Sequence, residues 1–122
     1  MTSILETTKR MLGIPSTYTH FDDELIIHIN TAISILTQLG VGPSDGFSIT
    51  GSTETWSDFV SDESKIKMIE NYIFARVRLS FDPPASAAAI EALNKQMEMY
   101  EFRINLQVDR GETYAWNSDS DE

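Results

Sequence analysis

The stretch "TQLGVGPSDGF", residues 37–47, places three glycines and a proline directly after a run rich in isoleucine and leucine. Whether it cradles a phosphate or ends a helix decides how the flanking segments assemble. A phosphate loop follows a strand and needs glycines spaced so that successive backbone N–H groups converge on the anion, with a lysine and a hydroxyl to complete the site. Gly40, Gly42 and Gly46 match neither the dinucleotide fingerprint nor the P-loop, and the first basic residue downstream is Lys65. The stretch reads as punctuation. Gly40 supplies a left-handed residue that closes a helix, and Pro43 keeps the helix from resuming.

Upstream, Leu25, Ile29, Ala32, Ile33, Leu36 and Leu39 recur at three-four spacing. They predict a helix from about Phe21–Asp23 to Leu39, with Asp22, Asp23 and Glu24 favourably placed at its positive end. Ile26, Ile27 and Ile35 fall outside that stripe, so the helix is either central in a bundle or packed against another subunit. Further upstream, Ser3 and Glu6 have the spacing of a capping box, which predicts a short helix from Ser3 to Leu12, stopped by "GIP" at 13–15.

Downstream, residues 41–61 predict a small hairpin or an extended loop. Phe47 and Ile49 alternate with polar residues, Gly51 offers a turn, and Thr53, Thr55 and Trp56 are candidates for a return strand. The segment is longer than two antiparallel helices require, and such loops often carry function. A third helix follows over Asp62 to Ser80, with Ile66, Ile69, Ile73 and Val77 inward and Lys65, Lys67, Arg76 and Arg78 flanking them. At "FDPP" the pattern predicts that Asp82 caps the next helix and Pro83 occupies its first turn. That fourth helix carries Ile90, Leu93, Met97, Tyr100 and Ile104, a seam for packing lengthwise on a partner. The expected fold is all-α: a small bundle of about four helices, with a long loop or short β-hairpin between helices two and three. Residues 1–108 form this domain, and 109–122 form an acidic tail expected to be flexible when unbound.

A chain of 122 residues fits one domain and should bury roughly two-thirds of its unfolded surface. No apolar run approaches the roughly 20 residues of a membrane span, and "MTSILETTKR" does not read as a secretory signal. Without cysteine there is no disulfide framework, thiolate nucleophile or cysteine-based zinc site. The formal net charge is −10, and no lysine or arginine occurs between Met11 and Ser64, where eight acids stand. A surface of that sign repels duplex DNA. It suits simple solubility, a basic protein partner, or a wall past which DNA slides without sticking.

Candidate chemistry is sparse. His20 and His28 lie near Asp22, Asp23 and Glu24 but share no recognisable metal-ligand spacing, and no nucleophile stands beside a base and an orienting group. No catalytic, cofactor or metal residue is assigned. Trp56 and Phe59 either pin the long loop to the bundle or anchor an interface. Tyr114 and Trp116 stand in an otherwise acidic tail with one base, Arg110, which suits a docking segment that orders on a partner.

Six blocks occur in a recognisable order: "LGI" at 12–14, "FDDELI" at 21–26, "TAISILTQLGVGP" at 31–43, "TWSDF" at 55–59, "YIFARVRLSFDPP" at 72–84 and "EFRIN" at 101–105. As a set, over residues 4–106, they resemble the head-tail connector proteins of long-tailed bacteriophages, also called adaptor, head-completion or DNA-packaging proteins. The resemblance implies a non-enzymatic helical subunit, without cofactor, that closes into a dodecameric ring beneath the portal of a filled capsid. Such a ring extends the DNA channel and offers a docking face to a tail-side connector or stopper protein. It belongs to the virion's head-tail interface, and its subunits are made in the host cytoplasm.

On that resemblance, Phe47, Ile49, Trp56, Asp58, Phe59, Arg76 and Arg78 are expected at a contact with a neighbour or the next connector component. Asp22, Asp23, Glu24, Asp45 and Glu54, with Asp58, are expected to line or border the channel. Arg110, Tyr114 and Trp116 are expected to dock on the portal. The rivals are an acidic inhibitor that imitates DNA to occupy a basic DNA-binding protein, and an unrelated helical dimer or enzyme accessory. The mimic requires carboxylates spaced like phosphates along one elongated face.

Overall fold

The computed structural model describes residues 3–109. They form five helices: α1 (Ile4–Leu12), α2 (Asp22–Gln38), α3 (Trp56–Phe59), α4 (Glu63–Phe81) and α5 (Ala87–Asp109). Helix α4 packs against all four others and is the centre of the bundle. Its buried residues Ile69, Tyr72, Ile73, Ala75 and Val77 spread around most of its circumference. Among the described residues no helix is long and apolar enough to cross a membrane.

Local chemistry explains most of the boundaries. Ser3 caps α1, its Oγ accepting from the Glu6 N–H at 3.2 Å. Acids alone begin α2, whose N-cap Phe21 makes no side-chain hydrogen bond. The predicted stripe of α2 is the heart of the core: Leu25, Ile29, Ala32, Ile33 and Leu36 are all fully buried. The helix closes as Gly40 turns left-handed at φ 99° and the Val41 N–H reaches back to the Leu36 carbonyl at 2.9 Å. Asp62 caps α4, accepting from the Ser64 N–H at 3.0 Å and the Ser64 hydroxyl at 2.7 Å.

Three features narrow or correct the sequence expectation. Of the two alternatives for α2, the central position goes to α4 instead, and Ile27 of α2 stands exposed to solvent. Ser86 rather than Asp82 caps the last helix, its Oγ accepting from the Ala89 N–H at 3.0 Å. Pro84 disfavours helical geometry at Pro83, so the helix cannot begin there, and Asp82 instead ends α4. Finally, of the two alternatives for 41–61, a hairpin or an extended loop, the hairpin is absent. Thr55 makes an antiparallel bridge to Ser3, and Trp56 starts the one-turn helix α3 where the hairpin alternative placed a return strand.

Candidate functional site

The loop between α2 and α4 is tied to α1 and α2 by hydrogen bonds and packing. Asn30, at mid-α2, donates from Nδ2 to the Ile49 carbonyl at 3.0 Å and accepts the Ile49 N–H at 2.8 Å, imitating a strand pairing. The Ile4 N–H bonds the Glu54 carbonyl at 3.0 Å, tying the loop to α1. Trp56 Nε1 donates to Thr7 Oγ1 at 3.1 Å across a buried contact, which gives the indole N–H the partner that burial demands. Phe47 stacks on Phe59 with centroids 5.1 Å apart.

These contacts redefine the predicted interface residues. Ile49, Trp56 and Phe59 belong to the subunit's own core, because the loop folds back onto α1 and α2 rather than standing away from them. Phe47 is half-buried and Asp58 exposed. The Asp58 carboxylate accepts the Thr55 N–H at 2.9 Å and closes the start of α3. Any contact of this loop with a neighbour therefore runs through its outer atoms, and the aromatics act by fixing its shape.

Arg76 and Arg78 are also engaged within the subunit. Tyr72 donates its hydroxyl to Glu101 Oε2 at 2.7 Å, Arg76 Nε donates to the Tyr72 oxygen at 2.9 Å, and Arg76 Nη2 lies 3.5 Å from the same Oε2. This triad joins α4 to α5. Arg78 Nε donates to the Asp82 carbonyl at 2.6 Å, closing the end of α4.

Burial pushes the Tyr72 hydroxyl up to about 12, with its bond to Glu101 acting in the same direction and Arg76 acting against both. The fold then keeps a proton that the unfolded chain releases near pH 10, the ordinary tyrosine value. Stability from this group is complete below that pH and is lost as pH rises through the folded value. The stability gap between wild type and Tyr72→Phe should thus narrow as pH rises from neutral through 10 toward 12. Denaturant titrations that show a constant gap would contradict it.

The acids fall into two groups. Asp22, Asp23 and Glu24 lie in the first turn of α2, while Asp45 and Asp58 belong to the loop and to α3, which follow it in the chain. Asp23, Glu24, Asp45 and Asp58 are exposed, but Asp22 is not free. Its Oδ1 lies 2.9 Å from Lys9 Nζ, and Lys9 is fully buried. The ammonium also donates to the Ser16 carbonyl at 3.2 Å. Glu54 is likewise structural: it accepts the Thr50 N–H at 2.9 Å and the Thr50 hydroxyl at 2.8 Å. Its limited burial raises the carboxyl, but the hydrogen bonds from Thr50 and Gly51 prevail and hold it below the ordinary glutamate value.

Sequence reasoning overlooked Asn30 and Lys9. Lys9 follows Leu5 by four residues on the buried side of α1, and that misplaced charge facing an acid-rich helix start was the available signal. Asn30 carried none, since its partner is nineteen residues away. Arg110, Tyr114 and Trp116 lie outside the described residues.

A family model described as phage connector protein matches residues 4–111. No curated protein matches the chain, and no solved structure does.

Proposed function

The chain belongs to the phage connector protein family, and from that premise we propose that it is a structural subunit of the head-tail connector ring beneath the portal. The match over most of the chain carries this reading. The subunit is a virion component whose work is assembly rather than catalysis. In this reading the ring extends the DNA channel, presents a docking face to a tail-side connector or stopper protein, and is anchored on the portal by Arg110, Tyr114 and Trp116.

Heterologous head-to-tail contacts close a ring when the rotation between neighbours allows it. A bundle with different chemistry on its different faces suits that geometry. Exposed carboxylates at Asp23, Glu24, Asp45 and Asp58 suit a channel wall that repels DNA. A DNA mimic needs a continuous row of free carboxylates, whereas Asp22 is committed to Lys9 and Glu54 to Thr50.

The lumen assignment predicts an effect on genome release. Asp23, at the start of α2, and Asp45, in the loop after it, are exposed and should tolerate substitution without loss of fold. Particles carrying Asp23→Lys and Asp45→Lys together should eject DNA more slowly, because added cations hold phosphates that now slide past. Ejection at the wild-type rate from normally assembled particles would remove these residues from the channel.

A further inference from the structure

Helix α5 is apolar on two opposite faces. Leu93, Met97, Tyr100 and Ile104 pack inward on α4. Almost half a turn away, Met99, Phe102 and Leu106 form a second stripe at three-four spacing, 43%, 66% and 38% exposed. Phe102 is the one phenylalanine among the described residues that stands exposed. Arg103 is exposed beside it.

At the other end of the bundle a groove of about 470 Å³ opens between α1, α2 and the end of α4. Its floor is Leu12, Ile14, Phe21 and Phe81, and its rim carries Glu24 and Asp82. Phe21 and Phe81 meet edge to face at 5.1 Å, an arrangement open to a further ring. Most of the lining comes from the stretch without any lysine or arginine. An apolar floor with a carboxylate rim fits an aromatic side chain followed by a base. Phe102 and Arg103 are such a pair, but within one subunit Phe102 points away from the body that holds the groove.

Resting on the reading of the chain as a ring subunit, we propose that Phe102 of one copy seats in the groove of the next, with Arg103 meeting the Glu24 and Asp82 carboxylates. Donor and acceptor are different surfaces of the same chain, which makes the contact heterologous and head to tail. It buries the exposed ring in an aromatic pocket, the form a binding hot spot takes. It also places opposite charges across the rim, which favours this register over others.

The chain contains no cysteine, so placed thiols give an unambiguous test. Full-length Met99→Cys and Pro83→Cys proteins, which flank the anchor and the groove, are mixed and treated with a short bismaleimide. The mixed pair should cross-link about tenfold more than either protein alone, the ratio that about 1.4 kcal/mol of preference produces. Adding Phe102→Glu to the Met99→Cys protein should return the yield to background without changing its melting temperature, because Phe102 makes little contact within its own subunit. A mixed pair at background, or one indifferent to Phe102→Glu, overturns the contact. If the wild-type chain still closes rings on the portal in that case, only the contact falls and the ring reading stands. If it closes none, both fall.

Discussion

Replacing Gly42 with alanine should destabilise the subunit by about 3 kcal/mol, combining a left-handed backbone penalty with overpacking. Gly42 has φ 83°, and a Cβ built there would lie closer to Phe59 Cε1 than any real contact and 2.8 Å from Phe59 Cδ1. Phe59 cannot yield, because it is fully buried and stacked on Phe47. For a domain near 100 residues, such a loss lowers the melting temperature by more than about 10 °C. Gly46 is the internal control. It too is left-handed, at φ 99°, but nothing lies within 4 Å of its added Cβ, so Gly46→Ala should cost only about 1 kcal/mol. Equal melting temperatures for the two variants would mean that the loop does not close on Phe59.

Asp22→Ala should cost about 3 kcal/mol, the lower end of what breaking a buried ion pair costs. The carboxylate keeps 24% exposure, but Lys9 is fully buried and would retain only the Ser16 carbonyl. Its neighbour Asp23 is exposed, and Asp23→Ala should stay within about 0.5 kcal/mol of wild type. Replacing both members, as Lys9→Met with Asp22→Leu, should recover much of the loss, because no charge is then stranded in the core. Denaturant unfolding in which Asp22→Ala and Asp23→Ala behave alike would refute a structural role for this pair. The pair also changes what Asp22 can do. A carboxylate committed to Lys9 contributes little to the charge of a channel, which leaves Asp23 to supply it at this end of α2.

The parts of the fold that were legible in the sequence are those decided within a few residues. The α2 stripe follows from three-four spacing, and Ser3, Gly40 and Asp62 act on groups one turn away or less. What was not legible depends on contacts between distant segments. "TWSD" has the spacing that closes a helix start, but the same residues alternate like a strand. Only the Trp56 bond to Thr7 and the Asn30 clamp on Ile49 decide in favour of α3 and a folded loop. The same limit applies to the candidate site. Large aromatics in the loop announced an anchor, but whether Trp56 and Phe59 face inward or outward is a tertiary property. The Ser86 cap was missed for a nearer reason: Asp82 and Pro83 carry a helix-start signal that the second proline cancels.

The measurement that tests the connector role most directly is electron microscopy of the full chain mixed with purified portal rings, beside a chain ended after Gln107. The full chain should add a second ring of about a dozen copies to one face of the portal, the closed symmetry of a head-to-tail contact, and the shortened chain should leave that face bare. Portal rings left bare by the full chain at saturating concentration, with the subunit monomeric in solution, would contradict the connector role.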